Sequence, residues 1–222
     1  MKKRNVALVA MLALLAGLVA YGTVAHFSGE AHVTNVITTG KINIEVKEQT
    51  KDPEGNLIDW PADGITGVMP GRFVDKLVWV ENPLPEDQDD QEKAAPAWVR
   101  MKVTTQVVAA DKETVLSPET LSMDLNLAPE NQEDTGYWIQ GDDGYYYYSQ
   151  PVAPGGATEK LFTKVRFDES MGNEYQGCTA KVTVSAQAVQ VKNNQGTDPD
   201  APITLLTQDN YKEIKGWPEN NT

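Results

Sequence analysis

Cysteine is almost absent: Cys178 stands alone among 222 residues, so no intrachain disulfide forms and stability has to come from the core. Histidine is nearly as scarce. His26 and His32 are the only two, and neither belongs to the His-Glu-x-x-His arrangement that holds zinc on one helical face with a glutamate beside its water. Nucleophile pairs of the Ser/His or Cys/His kind fare no better, because Cys178 sits at the entrance to an apolar strand pattern, far along the chain from either histidine. Basic clusters are missing after Arg4, and the net charge of −13 repels nucleic acid and anionic lipid head groups. The residues therefore point to a chain that is not an enzyme, needs no cofactor or metal, and does not bind nucleic acid.

What is present begins with a sharp change of character near the N-terminus. Lys2, Lys3 and Arg4 precede an uncharged run from Val6 to Ala25, the pattern of an export signal whose basic flank stays in the cytoplasm. The run is long enough to cross a bilayer as an uncleaved anchor, but small side chains at Thr23 and Ala25, where it stops, suit a signal peptidase and favour cleavage between Ala25 and His26. On this reading residues 1–25 form a signal helix and touch the membrane only before cleavage. Residues 26–222 form one domain, opened by an extended segment over residues 26–40. Loss of the three cations makes the mature chain still more acidic.

Period-two alternation dominates that domain. Ile42, Ile44 and Val46 alternate with polar residues, as do Val99, Met101, Val103 and Thr105, and Val182, Val184, Ala186 and Ala188 share one face. Further strands are predicted over Phe73–Glu81 and Leu161–Phe167. Asp143-Gly144, between Trp138–Gln140 and Tyr145–Gln150, supplies the positive φ that a hairpin turn demands. Pro70-Gly71 and Pro154-Gly155-Gly156 punctuate the sheet. Helix is expected only within Pro118–Leu127 and around Ile203–Tyr211. The result is an all-β chain of two packed antiparallel sheets.

Three features invite a chemical reading. Asp87, Asp89, Asp90 and Glu92 lie in the acidic stretch Glu86–Lys93, which lacks the glycine of a regular calcium loop and reads as a solvated loop. A mature N-terminus at His26 would offer an amine and an imidazole to copper, yet His32 is six residues away along an extended segment. Tyr145–Tyr148, with Tyr137 and Trp138 across the turn, places aromatics on both sheet faces. Half of them are expected to face solvent, as cross-strand packing or as a glycan- or partner-binding patch.

In order along the chain come Gly22-Thr23-Val24-Ala25-His26-Phe27, Thr34-Asn35-Val36-Ile37-Thr38-Thr39-Gly40 and Lys41-Ile42-Asn43-Ile44-Glu45-Val46. Later come Val78-Trp79-Val80-Glu81-Asn82, Ala97-Trp98-Val99-Arg100, the Asp143-Gly144-Tyr145-Tyr146 hairpin and Ala186-Gln187-Ala188-Val189-Gln190. This series resembles the TasA/camelysin family of exported proteins, released by a SipW-type signal peptidase. The resemblance implies a jelly-roll β-sandwich, secretion to the extracellular matrix or cell surface, and a role in biofilm or fibre. Some members are described as metallopeptidases, for which these residues offer no motif.

The expected function is that of an exported structural protein, with a secreted adhesion or binding module, or a camelysin-like metallopeptidase, as the alternatives. Self-assembly by strand addition is the physical route. The segment carrying Phe27, Val33 and Ile37 is freed by cleavage and is suited to completing a sheet edge, either within its own domain or in a neighbour.

Overall fold

The computed structural model describes residues 25–35, 42–127, 136–192, 194–196 and 202–218, with backbone only for 25–35. The signal helix expected over residues 1–25 lies outside these residues except for Ala25. Among the described residues, seven strands form one sheet: β1 (Ala25–Asn35), β4 (Ile65–Val68), β6 (Ala97–Val108), β7 (Val115–Leu116), β9 (Trp138–Gln140), β10 (Tyr145–Tyr148) and β13 (Thr179–Gln190). Six form the other: β2 (Glu45–Lys51), β3 (Leu57–Asp59), β5 (Phe73–Asn82), β8 (Leu121–Leu125), β11 (Gly156–Ala157) and β12 (Phe162–Phe167). The chain is all-β, with two sheets facing each other across one principal core.

Alternation explains which faces meet. Ala180, Val182, Val184, Ala186 and Ala188 of β13 are fully buried, opposite Val99, Met101 and Val107 of β6, while Val74, Val78 and Val80 of β5 close the core from the second sheet. Each valine or methionine among them contributes roughly 1.5–3 kcal/mol by leaving water, and each alanine less. The β6–β13 ladder runs without a break from Thr179↔Val108 to Gln190↔Ala97. It is the spine of the first sheet, whose order is β4-β1-β13-β6-β10-β9.

One ladder departs from the expected antiparallel sandwich. β1 runs parallel to β13, from His26↔Thr179 to Asn35↔Ala188, and meets β4 antiparallel at Ala25↔Val68 and Phe27↔Ile65. A parallel pair needs a long crossover, and here the whole of the intervening domain supplies it.

Two helical expectations are also corrected. Pro118–Thr120 makes a single 3-10 turn capped by Ser117, after which Leu121–Leu125 is a strand paired with β12. Leu121, Met123 and Leu125 alternate toward the core, and that tertiary pairing overrides the helical start signal. Near Ile203–Tyr211 only a 3-10 turn, Tyr211–Glu213, is present. The acidic stretch carries one short exposed helix, α1 (Gln88–Gln91), whose first turn is capped by the Asp87 carboxylate accepting from the Asp89 amide.

A lysine lies inside the sandwich. Lys76 shares the core face of β5 with Val74 and Val78 and is fully buried, its Nζ 2.8 Å from Glu48 Oε1 on β2 and 3.9 Å from the Trp60 ring centroid. The Lys76–Glu48 contact is electrostatic, since neither Nζ nor Oε1 makes a well-angled hydrogen bond among the described residues. Burial lowers the Lys76 ammonium below its usual range, and the Glu48 carboxylate opposes that shift.

Candidate functional site

Two regions gather the residues that bear on function. The first is the slot that β1 occupies. Ala25 and His26, the expected cleavage pair, sit at the start of the strand, in register with Val68 and Thr179 respectively. Phe27 and Val33 take the register positions of Ala180 and Ala186, both fully buried residues. Ile37 lies outside the described residues. β1 is therefore an interior strand: without it, β13 and β4 would each present an unpaired edge.

The second region is the outer face of the first sheet, around the tyrosine hairpin. Gly144 adopts φ 80°, as the Asp-Gly signal requires, in a four-residue loop closed by the Gly141 amide donating to the Tyr145 carbonyl at 2.8 Å. Half-exposed tyrosines are not what the structure shows. Tyr145, Tyr147, Tyr148 and Trp138 are buried, and Tyr137 and Tyr146 are only partly exposed. Tyr148 packs in the main core against Trp138, with ring centroids 5.2 Å apart. Tyr145 and Tyr147 face the other way, where the C-terminal segment 202–218 covers them and builds a second core with Trp98, Ile139, Leu206, Tyr211 and Ile214.

Arg100 organises that second core. On β6 it alternates outward with Trp98, and its Nε donates to Gln187 Oε1 at 2.8 Å while Nη1 donates to the Tyr147 hydroxyl at 3.0 Å. Its guanidinium lies 3.9 Å from the Tyr145 ring centroid and 4.7 Å from that of Trp217, so the cation is stacked between sheet and tail. The Tyr147 hydroxyl donates to Asp143 Oδ2 at 2.6 Å. Burial, with the Asp143 carboxylate adding to it, pushes the Tyr147 phenol well above its ordinary range, so it stays a donor at any physiological pH.

The tail and hairpin enclose an open cleft of about 390 Å³. Its floor is Tyr147, Ile214 and Trp217, and its rim carries Asp142, Lys212 and Lys215. Asp142 accepts from Lys212 Nζ at 2.6 Å and from the Tyr211 hydroxyl at 3.1 Å, which together hold its carboxyl below the usual carboxylate range. No group of three or more metal-ligating side chains occurs among the described residues, and Asp87 spends one carboxylate oxygen on its helix cap.

Neither the protein-family models nor the curated proteins contain a match to this chain. Arg100, Gln187, Tyr211 and Trp217 escape a strand-by-strand reading of the sequence. The visible signal for them was the presence of large side chains on both faces of Trp98–Met101, together with the spaced apolar residues Leu206, Tyr211, Ile214 and Trp217 in a polar tail. One-sided sheets do not need either.

Proposed function

We propose that this chain is an exported structural protein of the TasA/camelysin kind, a jelly-roll sandwich without enzymatic activity that forms or decorates a matrix or surface fibre. A SipW-type peptidase would release it between Ala25 and His26. Assembly would proceed by exchange of β1 between neighbouring subunits. The observation that carries the reading is the position of β1: the first strand after the export signal fills an interior slot, paired with β13 along its length from His26 to Asn35. A strand at a chain end that fills an interior slot is the element most readily swapped, because the neighbour's copy restores the same ladder.

Light scattering by the chain starting at His26 should grow with time and concentration. Removing His26–Thr38 should abolish growth and lower the melting temperature, and a synthetic peptide of those residues should restore the stability. Equal growth without the segment would refute strand exchange. Absence of growth in both chains would refute the structural role itself.

A further inference from the structure

The cleft between hairpin and tail has a makeup that the β1 slot does not explain. Its walls belong to two elements, the Asp142–Asp143 turn and the Tyr211–Trp217 segment, tied together by bonds from Asp142 to Tyr211 and Lys212. The floor is aromatic and apolar, and Trp217 is partly exposed while its indole N–H donates to the Ile214 carbonyl at 3.1 Å. Behind that ring stands Arg100, which fixes the orientation of the indole from the protein side. The result is a rigid aromatic surface on a cleft of ligand-binding size.

Charge on the rim decides the ligand class. The lining carries Asp142, Asp143, Lys212 and Lys215, two of each sign, with Asp142 bonded to Lys212 and Asp143 held from behind by Arg100 at 3.4 Å and the Tyr147 hydroxyl, on a chain that is otherwise strongly acidic. An anion would meet the two carboxylates and a cation the two ammonium groups, so the cleft suits a neutral molecule. The side chains of Asp142 and Lys212 are 69% and 61% exposed, leaving lone pairs on the carboxylate and N–H groups on the ammonium for a ligand. An acceptor and a donor 2.6 Å apart match a pair of vicinal hydroxyls, each of which both donates and accepts.

We propose that the cleft lined by Trp217, Asp142 and Lys212 binds a neutral pyranose unit of a polysaccharide, its C–H face stacked on Trp217 and its vicinal hydroxyls held by the Asp142–Lys212 pair. The site is independent of strand exchange, and its failure would leave the structural role untouched.

Isothermal titration of the full chain, kept soluble in a detergent without sugar head groups, with cellohexaose, maltohexaose and chitohexaose tests it. At least one should bind, and Trp217→Ala and Asp142→Asn should each weaken that binding tenfold or more. Because Trp217→Ala removes a tail contact, its melting curve is recorded alongside; Asp142→Asn keeps the oxygen that accepts from Tyr211 and carries the conclusion if the tail loosens. Heat from none of the three sugars, binding that Asp142→Asn leaves unchanged, or preference for a peptide library over all three would overturn the proposal.

Discussion

Replacing Lys76 by Met removes one half of an ion pair from the interior of the sandwich, and its consequences can be worked through. The Lys76 ammonium is fully buried, 2.8 Å from a Glu48 carboxylate that is itself only 10% exposed. Taking away one partner of such a pair leaves an uncompensated buried charge and costs about 3–5 kcal/mol. The contact with Trp60, worth up to about 2 kcal/mol when desolvated, goes too, but the Met thioether recovers part of it. At roughly 2–4 °C per kcal/mol for a domain of this size, Lys76→Met should melt about 6–20 °C lower. Lys76→Met combined with Glu48→Leu removes both charges, and its stability should return to that of the parent or exceed it by about 1–4 kcal/mol. Glu48→Gln should be milder than Lys76→Met, because burial already lowers the Lys76 pKa and the ammonium can shed its proton. In that variant the unfolded chain holds the proton more tightly than the native one. Stability should therefore rise with pH, from the lowered folded value up to the ordinary 10.5. Thermal and denaturant melts of all four proteins at one pH, repeated across a pH series for Glu48→Gln, are the assay. A double variant as unstable as Lys76→Met would refute the reasoning, since packing and not charge would then set the cost.

Three further outcomes follow from the same geometry. Leu206→Ala, at a fully buried tail position, should cost about 2–5 kcal/mol locally and release the tail to proteases while the main core keeps its protection. Acid should loosen the tail as well: the Asp142 carboxyl is depressed below 3.8 by Lys212 and Tyr211, so its contribution is intact above pH 3.8 and lost as pH falls through the lower folded value, which Trp217 fluorescence would report. Ala25→Arg should leave a membrane-bound precursor on immunoblots of cell fractions, and release with an N-terminus other than His26 would refute the assigned boundary.

Much of the fold was legible because strands with one buried face write a period of two into the sequence. β6 and β13 are the clearest cases, and Asp143-Gly144 announces its hairpin through a local backbone need. What was not legible depends on distant partners. Nothing local in Ala25–Asn35 says that it will lie parallel to a strand some 150 residues further along. The Leu121–Leu125 strand was hidden behind Ser117-Pro118-Glu119, whose capping and proline mimic a helix start and deliver only one 3-10 turn. Lys76 inside the core is equally opaque, because its place on one face with Val74 and Val78 is plain but its partner Glu48 is set by sheet register. The candidate sites divide in the same way. The tyrosine hairpin was visible, whereas its burial beneath Leu206, Tyr211, Ile214 and Trp217 depended on where the tail returns.

The central claim, exchange of β1, is tested most directly by cysteine cross-linking between register partners. His32 and Ser185 are paired across the β1–β13 ladder, at a separation that a disulfide can span, and the native Cys178 is buried and out of play. One population of chains carries His32→Cys and another Ser185→Cys, and the two are mixed under assembly conditions and oxidised. Strand exchange requires a disulfide-linked heterodimer whose yield rises with protein concentration. If the mixture yields none, while a chain carrying both substitutions links only to itself at every concentration, β1 belongs permanently to its own domain and the assembly mechanism is wrong.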